Sequence, residues 1–190
     1  MSAVAIIPAR GGSRRIPRKN IRMFHGKPII AYSIMTAYAS GLFDGGVWVS
    51  TEDEEIAEVA RSYGATILVR SERLAADHIG TQEIMADAIA TLVDAKQRIE
   101  YACCIYATAP MLRADDLVHA FNTVQKERVP YAYADGWYYF GAASAFLEGV
   151  PLSAGVRNLV EVGRYIDINT EDDWKRAEEM YAALHLGRAA

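Results

Sequence analysis

Apolar residues in this chain fall into short β-branched runs, separated by stretches where they recur every three or four positions. The first run, Val4-Ala5-Ile6-Ile7, reads as a buried strand ended by Pro8 and the Gly11-Gly12-Ser13 cluster. Residues 9–26 keep neither period and are expected to form a long loop, which inside a compact domain points to function or disorder. Over 27–40, Ile30, Ile34, Ala37 and Tyr38 follow helical spacing, and Gly41 supplies a stop. A strand is predicted over 46–50. Thr51 and Glu54 then have the spacing of a capping box, opening a helix that ends near Tyr63-Gly64. The acidic run 52–55 suits that helix N-terminus. Further strands are expected over 65–69, 101–106, 129–133 and 137–140. Further helices are expected from Thr81 to about Gln97 and over 113–127. The segment 162–168 looks extended, and Thr170 caps a last helix ending near Gly187.

Strands alternating with helices at this spacing predict an α/β fold, a single domain over 1–190. Its sheet is mostly parallel and twisted, with helices on both faces. In such sheets ligands bind beyond the carboxyl ends of the strands, so the loops at 8–20, 50–53, 70–81, 106–113 and 167–169 should share one rim. Composition agrees: 190 residues, 52% of them hydrophobic, supply a sizeable core. No run approaches the roughly 20 apolar residues that span a bilayer. The N-terminal apolar run is short and its basic residues follow it, unlike a signal peptide. Cys103 and Cys104 are adjacent and make neither a disulfide framework nor a metal set; they face opposite sides of one strand and read as core. A cytoplasmic setting is expected.

The net charge of −4 conceals an asymmetry. Residues 1–43 hold no Asp or Glu and carry Arg10, Arg14, Arg15, Arg18, Lys19, Arg22 and Lys27, whereas all 24 acidic residues lie beyond them. A compact cationic segment on an acidic chain favours a small anionic ligand over a nucleic acid, which usually meets a whole basic face. A solvated basic loop is the alternative. Within the segment, adjacent glycines let backbone N–H groups approach a phosphate and Ser13 adds a donor. Arg10 and Arg14 can grip phosphate oxygens in pairs, and Lys19 acts as a point charge. Neither a Walker A loop nor a Gly-x-Gly-x-x-Gly pattern is present.

The run Ile-Pro-Ala-Arg-Gly-Gly-Ser-Arg-Arg-Ile-Pro-Arg-Lys-Asn at 7–20, with Phe24-His25-Gly26-Lys27-Pro28, resembles the signature of the acylneuraminate cytidylyltransferase family. Further stretches follow in family order: Val49-Ser50-Thr51-Glu52-Asp53, Arg70 with Thr81, and Tyr165-Ile166-Asp167-Ile168-Asn169-Thr170 before Trp174. The run 103–110, with Tyr106 where sialic acid enzymes tend to carry Gln, is similar to the pseudaminic acid branch. The resemblance implies a Rossmann-like nucleotidyltransferase domain of glycosyltransferase-A type. It also implies CMP transfer from CTP to a nonulosonic acid, of pseudaminic or sialic type, with release of pyrophosphate.

By the same resemblance, Arg10, Ser13, Arg14 and Lys19 would hold the CTP phosphates, Gly11 and Gly12 would shape the cradle, and Ala9 would belong to the nucleotide-binding segment. Asn20 and Arg70 would contact the cytidine, and Thr81 would lie near the phosphates. Thr81 could equally be a helix cap and Arg70 a surface residue. Tyr106 and Thr108 would face the sugar, although Tyr106 could be packing instead. Arg10, Lys19 and Asp167 would carry catalysis, with Asp167 holding Mg2+ and Asn169 offering a neutral oxygen. The family pattern is Asp-x-Asp, so Asn169 predicts a weaker metal site. Asp167 read alone could be a loop-end cap. No histidine is an obvious general base: His78 lies in the loop before Thr81, and His25, His119 and His185 look incidental. Relatives carry a dimerisation arm that is largely absent near 128–133. A monomer or a different dimer with a more open acceptor pocket is therefore expected. Another acidic or phosphorylated sugar as acceptor, or a weakly active nucleotide-binding homologue, are the alternatives. No membrane or nucleic-acid partner is expected.

Overall fold

Alternate residues of the first strand enter different cores. In the computed structural model, which describes residues 2–76, 78–161 and 163–185, Ala5 and Ile7 face one side of a sheet and Val4 and Ile6 the other. That strand is β1 (Ala3–Pro8). A small hairpin follows, β2 (Met23–Phe24) and β3 (Lys27–Pro28), and then α1 (Ile29–Ala39), β4 (Val47–Thr51), α2 (Glu54–Ser62) and β5 (Thr66–Val69). Next come α3 (Thr81–Asp94), β6 (Tyr101–Ile105), α4 (Ala114–Glu127), β7 (Tyr131–Ala134) and β8 (Tyr138–Ala142). The chain continues through α5 (Ala143–Leu147) and β9 (Val156–Arg157) to α6 (Glu171–His185).

Seven strands make one sheet in the order β5-β4-β1-β6-β8-β7-β9. The pairs β5–β4, β4–β1, β1–β6 and β7–β9 are parallel, and only the pairs made by β8 are antiparallel. The expected mostly parallel sheet is therefore present. One core packs α1, α2, α4 and α6 on one face, through residues such as Ile34, Ile56, Leu117 and Trp174. The other packs α3 and α5 through Met85, Ile89 and Phe146. Cys103 and Cys104 enter opposite cores as expected, and both are fully buried free thiols.

Local chemistry accounts for several departures from the sequence reading. Residues 9–26 are not one loop: Lys19–Ile21 form a 3-10 turn, and His25-Gly26 close the β2–β3 hairpin. Both turn residues have positive φ, as a tight two-residue hairpin requires. The helix predicted from 27 consequently starts two residues later. Asp53, not Thr51, caps α2: its carboxylate accepts from the Ile56 N–H at 3.0 Å, while Thr51 Oγ1 accepts from the Asp53 N–H. Gly80 is the N-cap of α3, so Thr81 is freed from that role. Thr170 does receive the Asp173 N–H at the start of α6. The predicted end of that helix near Gly187, and Val162 at the start of the extended segment, lie outside the described residues. The rest of that segment joins no strand ladder, and the short α5 and β9 lack a sequence signal.

Candidate functional site

From β1 the chain passes to β4 and β5 on one side and then returns to β6 on the other. The crevice between the carboxyl ends of β1 and β6 is thus a topological switch point. A cavity of about 500 Å³ opens there. Its walls bring together Arg10, Ser13, Arg14, Lys19, Asn20, Arg70, Thr81, Tyr106 and Thr108 from four separate segments. Arg15, named from the sequence only as part of the cationic segment, and the apolar side chains of Leu74, Ile79 and Ile84 also line it without having been given a site role. His78 is exposed and is not part of the lining.

The loop after β1 is held by side chains rather than by a regular ladder. Asn20 Nδ2 donates to the Arg10 carbonyl at 3.0 Å, and an Arg10 guanidinium N–H donates to the Ala75 carbonyl across the cavity at 3.3 Å. Two glycines were expected to present N–H groups to a phosphate, but the structure separates their roles. The Gly11 N–H is taken by Glu52 Oε1 at 2.7 Å, and a Cβ at Gly11 would collide with the Asp53 carboxylate. Gly12 has open space around it. Ala9 is fully buried, and its N–H continues the β1–β4 pairing by donating to the Ser50 carbonyl, so Ala9 shapes the strand end and does not line the cavity. Arg18, in the left-handed conformation, forms an ion pair with Asp53 at 2.5 Å and reaches Glu55 as well. Hydrogen bonding to Arg18 holds the Asp53 carboxyl below the usual carboxylate range. Lys19 is partly buried, and that burial lowers its pKa against the field of Asp167. Its Nζ donates to the Ile168 carbonyl at 2.8 Å.

Across the cavity, Arg70 follows β5 with only 2% of its side chain exposed, paired with Glu52 at 2.9 Å. Thr81 Oγ1 hydrogen-bonds the Tyr106 hydroxyl at 2.8 Å. Burial pushes the Tyr106 phenol far above its ordinary pKa, so this ring is a neutral hydrogen-bonding wall. Beyond Tyr106 the sheet surface stays aromatic. The Tyr106 and Tyr139 centroids are 6.4 Å apart, Tyr139 stacks on Tyr133 at 5.2 Å, and Tyr133 is the cross-strand partner of Arg157.

A strap over 163–169 brings Asp167 to the rim. Arg164 anchors it, donating to both Asp116 oxygens at 2.6 and 2.8 Å and to the Met111 carbonyl. Trp137 Nε1 donates to the Ile166 carbonyl at 2.9 Å. Asp167 is exposed, and a Cβ on Gly136, whose φ is 69°, would press on its carboxylate. Asn169 was expected to offer an oxygen to a metal. Instead its Nδ2 donates to Asp167 Oδ2 at 2.7 Å, and its Oδ1 accepts from Arg15 at 3.0 Å. Both polar ends of Asn169 are therefore engaged by protein groups. Among the described residues no cluster of three or more Asp, Glu, His or Cys side chains could hold a metal ion unaided. A lone carboxylate beside a cationic cavity does fit Mg2+, which takes one or two carboxylates and completes its shell with phosphate oxygens and water.

Residues 4–154 match the family model described as Cytidylyltransferase. The chain belongs to the cytidylyltransferase family. It is 43% identical over 147 residues to a pseudaminic acid cytidylyltransferase of Campylobacter jejuni, a match covering 77% of this chain and 63% of that relative. It is 38% identical over 123 residues to N-acylneuraminate cytidylyltransferase A of Danio rerio, covering 65% and 27% respectively. The chain thus spans less than two thirds of the length of these relatives. Among solved structures, a CMP:2-keto-3-deoxy-manno-octonic acid synthetase complexed with CTP superimposes with a TM-score of 0.74 at 14% identity. That match covers 97% of this chain and all of the other, and it shows a shared fold. Among the described residues no helix is long and apolar enough to cross a membrane.

Proposed function

We propose that the cavity between β1 and β6 binds CTP and that the chain transfers CMP from it to a nonulosonic acid of pseudaminic or sialic type. The observation that carries this reading is the convergence of Arg10, Arg14, Arg15 and Lys19 with the buried Arg70 on one cavity of about 500 Å³ in a member of this family. The cationic loop residues hold the triphosphate, and Asn20 and Arg70 face the cytidine. Thr81 and Tyr106 form the wall where phosphates give way to acceptor. The sugar lies beyond them, over Tyr106, Thr108 and Tyr139. Its anomeric hydroxyl oxygen attacks the α-phosphorus and loses its proton to solvent, the bond from that phosphorus to the β-phosphate oxygen breaks, and the electron pair leaves with pyrophosphate. Catalysis rests on positioning and on neutralising phosphate charge by Arg10 and Lys19. Asp167 is the carboxylate that would hold Mg2+, whose chemistry is to neutralise phosphate oxygens; Asn169 steadies that carboxylate through Nδ2.

Partners follow from the same surface. Arg18 is paired with Asp53, and Arg22 forms an ion pair with Glu171 at 2.7 Å and lies over the Trp174 ring, which favours a small anionic ligand over a nucleic acid. The connection 128–130 joins α4 to β7 at the amino ends of the strands, away from this cavity. An arm inserted there would reach a partner's site more readily than its own, so its brevity favours a monomer or a differently built dimer in the cytoplasm. It also keeps a second reading in play: another acidic or phosphorylated sugar as acceptor. Pyrophosphate release with CTP, Mg2+ and a panel of acidic sugars tests the assignment. Turnover is expected with a nonulosonic acid and should be abolished by Arg10→Ala. Turnover that survives this substitution, or none with any nonulosonic acid despite a folded protein, would overturn it.

A further inference from the structure

The loop after β1 and the residue after β5 do not touch each other in the sheet order, because β4 stands between them. One side chain joins them. Glu52, the first residue past β4, accepts the Gly11 N–H on Oε1 at 2.7 Å and an Arg70 guanidinium N–H on Oε2 at 2.9 Å. The pair is sheltered, with 17% of the Glu52 side chain and 2% of the Arg70 side chain exposed. Arg70 is not saturated by this contact: its Nε is buried without a hydrogen-bond partner, and the residue lines the cavity. A guanidinium is a rigid planar fork of five donors, so a carboxylate gripping one corner fixes the plane of the rest. A buried cation also needs its counter-charge nearby to remain in place.

We infer that Glu52 is a positioning residue for nucleotide recognition: it sets the plane of Arg70 toward the acceptor edge of a pyrimidine base and, through Gly11, ties that orientation to the phosphate loop. The inference rests on the reading that this cavity binds CTP. Glu52 itself is absent from the cavity wall and acts through its two partners. The run 52–55 read from sequence as a complement to the α2 N-terminus therefore divides: Asp53 caps the helix, and Glu52 turns toward the site.

Glu52→Gln separates the two contacts. The backbone N–H of Gly11 is fixed and keeps the one remaining oxygen, so the amide nitrogen of Gln meets Arg70 donor to donor and the guanidinium swings away. Calorimetry of wild type and variant with CTP and with inorganic tripolyphosphate reads the effect. Affinity for CTP should fall about tenfold or more, as for loss of a hydrogen bond to a charged group, while tripolyphosphate affinity stays within about threefold. A purely structural role would weaken both ligands equally, and that result, or unchanged CTP affinity, overturns the inference. Glu52→Asp keeps the charge but is one methylene too short to span both partners. If the Gln variant does not fold, the Asp variant must show the same selective loss. Wild type that binds tripolyphosphate but not CTP would instead overturn the nucleotide reading beneath it.

Discussion

Two adjacent glycines, identical on paper, do different work at the site. Gly11 has the Asp53 carboxylate where its Cβ would be, whereas Gly12 faces open space. Gly11→Ala is expected to displace Asp53 or the loop, at a cost of about 1–3 kcal/mol in stability, typical of overpacking, with weakened CTP binding. Gly12→Ala should change stability by no more than about 0.5 kcal/mol. Urea unfolding of the two variants side by side decides the matter; equal effects would contradict the assigned roles. The acid limb of stability belongs to the same residues. Burial raises the Glu52 pKa, but hydrogen bonds from Arg70 and Gly11 outweigh it and the net shift is downward; Asp53 is lowered chiefly by Arg18. A carboxylate with a lowered folded-state pKa contributes stability that is complete above the ordinary carboxylate range and lost as pH falls through the lowered value. The urea midpoint should therefore decline below that range, and less steeply in Glu52→Gln. A variant slope equal to that of wild type would contradict the linkage. From sequence the cationic and hydroxyl residues of the site were legible, because phosphate demands those groups. Glu52 was not, because its partners come from two distant strands and its neighbours already had a helix to cap.

The strap over 163–169 shows how an extended pattern stands without a sheet. Ile166 and Ile168 are buried while Tyr165 and Asp167 are exposed, which is the two-residue period of a strand. Yet no backbone ladder forms. Instead side chains hold the segment: Arg164 on Asp116, Trp137 on the Ile166 carbonyl and Lys19 on the Ile168 carbonyl. Periodicity reports which side chains face a core, and here the core is reached without a neighbouring strand. The hairpin β2–β3 was hidden for the opposite reason, since its strands are two residues long and carry no period. Because the Arg164–Asp116 contact is the buried ion pair among these holds, Arg164→Met should lower unfolding free energy by about 3–5 kcal/mol by leaving the Asp116 carboxylate without its guanidinium partner. It should also release Trp137, whose ring lies 5.6 Å below that guanidinium, so its fluorescence should shift. A variant as stable as wild type would show that the strap is held by something else.

At the scale of the molecule, the charge asymmetry of the sequence becomes a division of space. The cationic first segment curls over the carboxyl ends of β1 and β6, and acidic residues from later elements take up two members that do not line the cavity, Asp53 and Glu55 taking Arg18 and Glu171 taking Arg22. A mostly parallel sheet with helices on both faces was readable from the alternation of strands and helices, and adjacent Cys103 and Cys104 marked the two faces of β6. The antiparallel β8 and the parallel β9 were not, because direction is set by connections that the pattern of a single strand does not encode. The central proposal is that the cationic loop and Arg70 together clasp a cytidine triphosphate. Titration of the protein with CTP, in wild type and Arg10→Ala, tests it directly. One site is expected in wild type, its affinity falling as salt rises because phosphate contacts dominate, with binding lost or weakened by about tenfold or more in the variant. No binding by wild type, or equal affinity in the two proteins, would contradict the account.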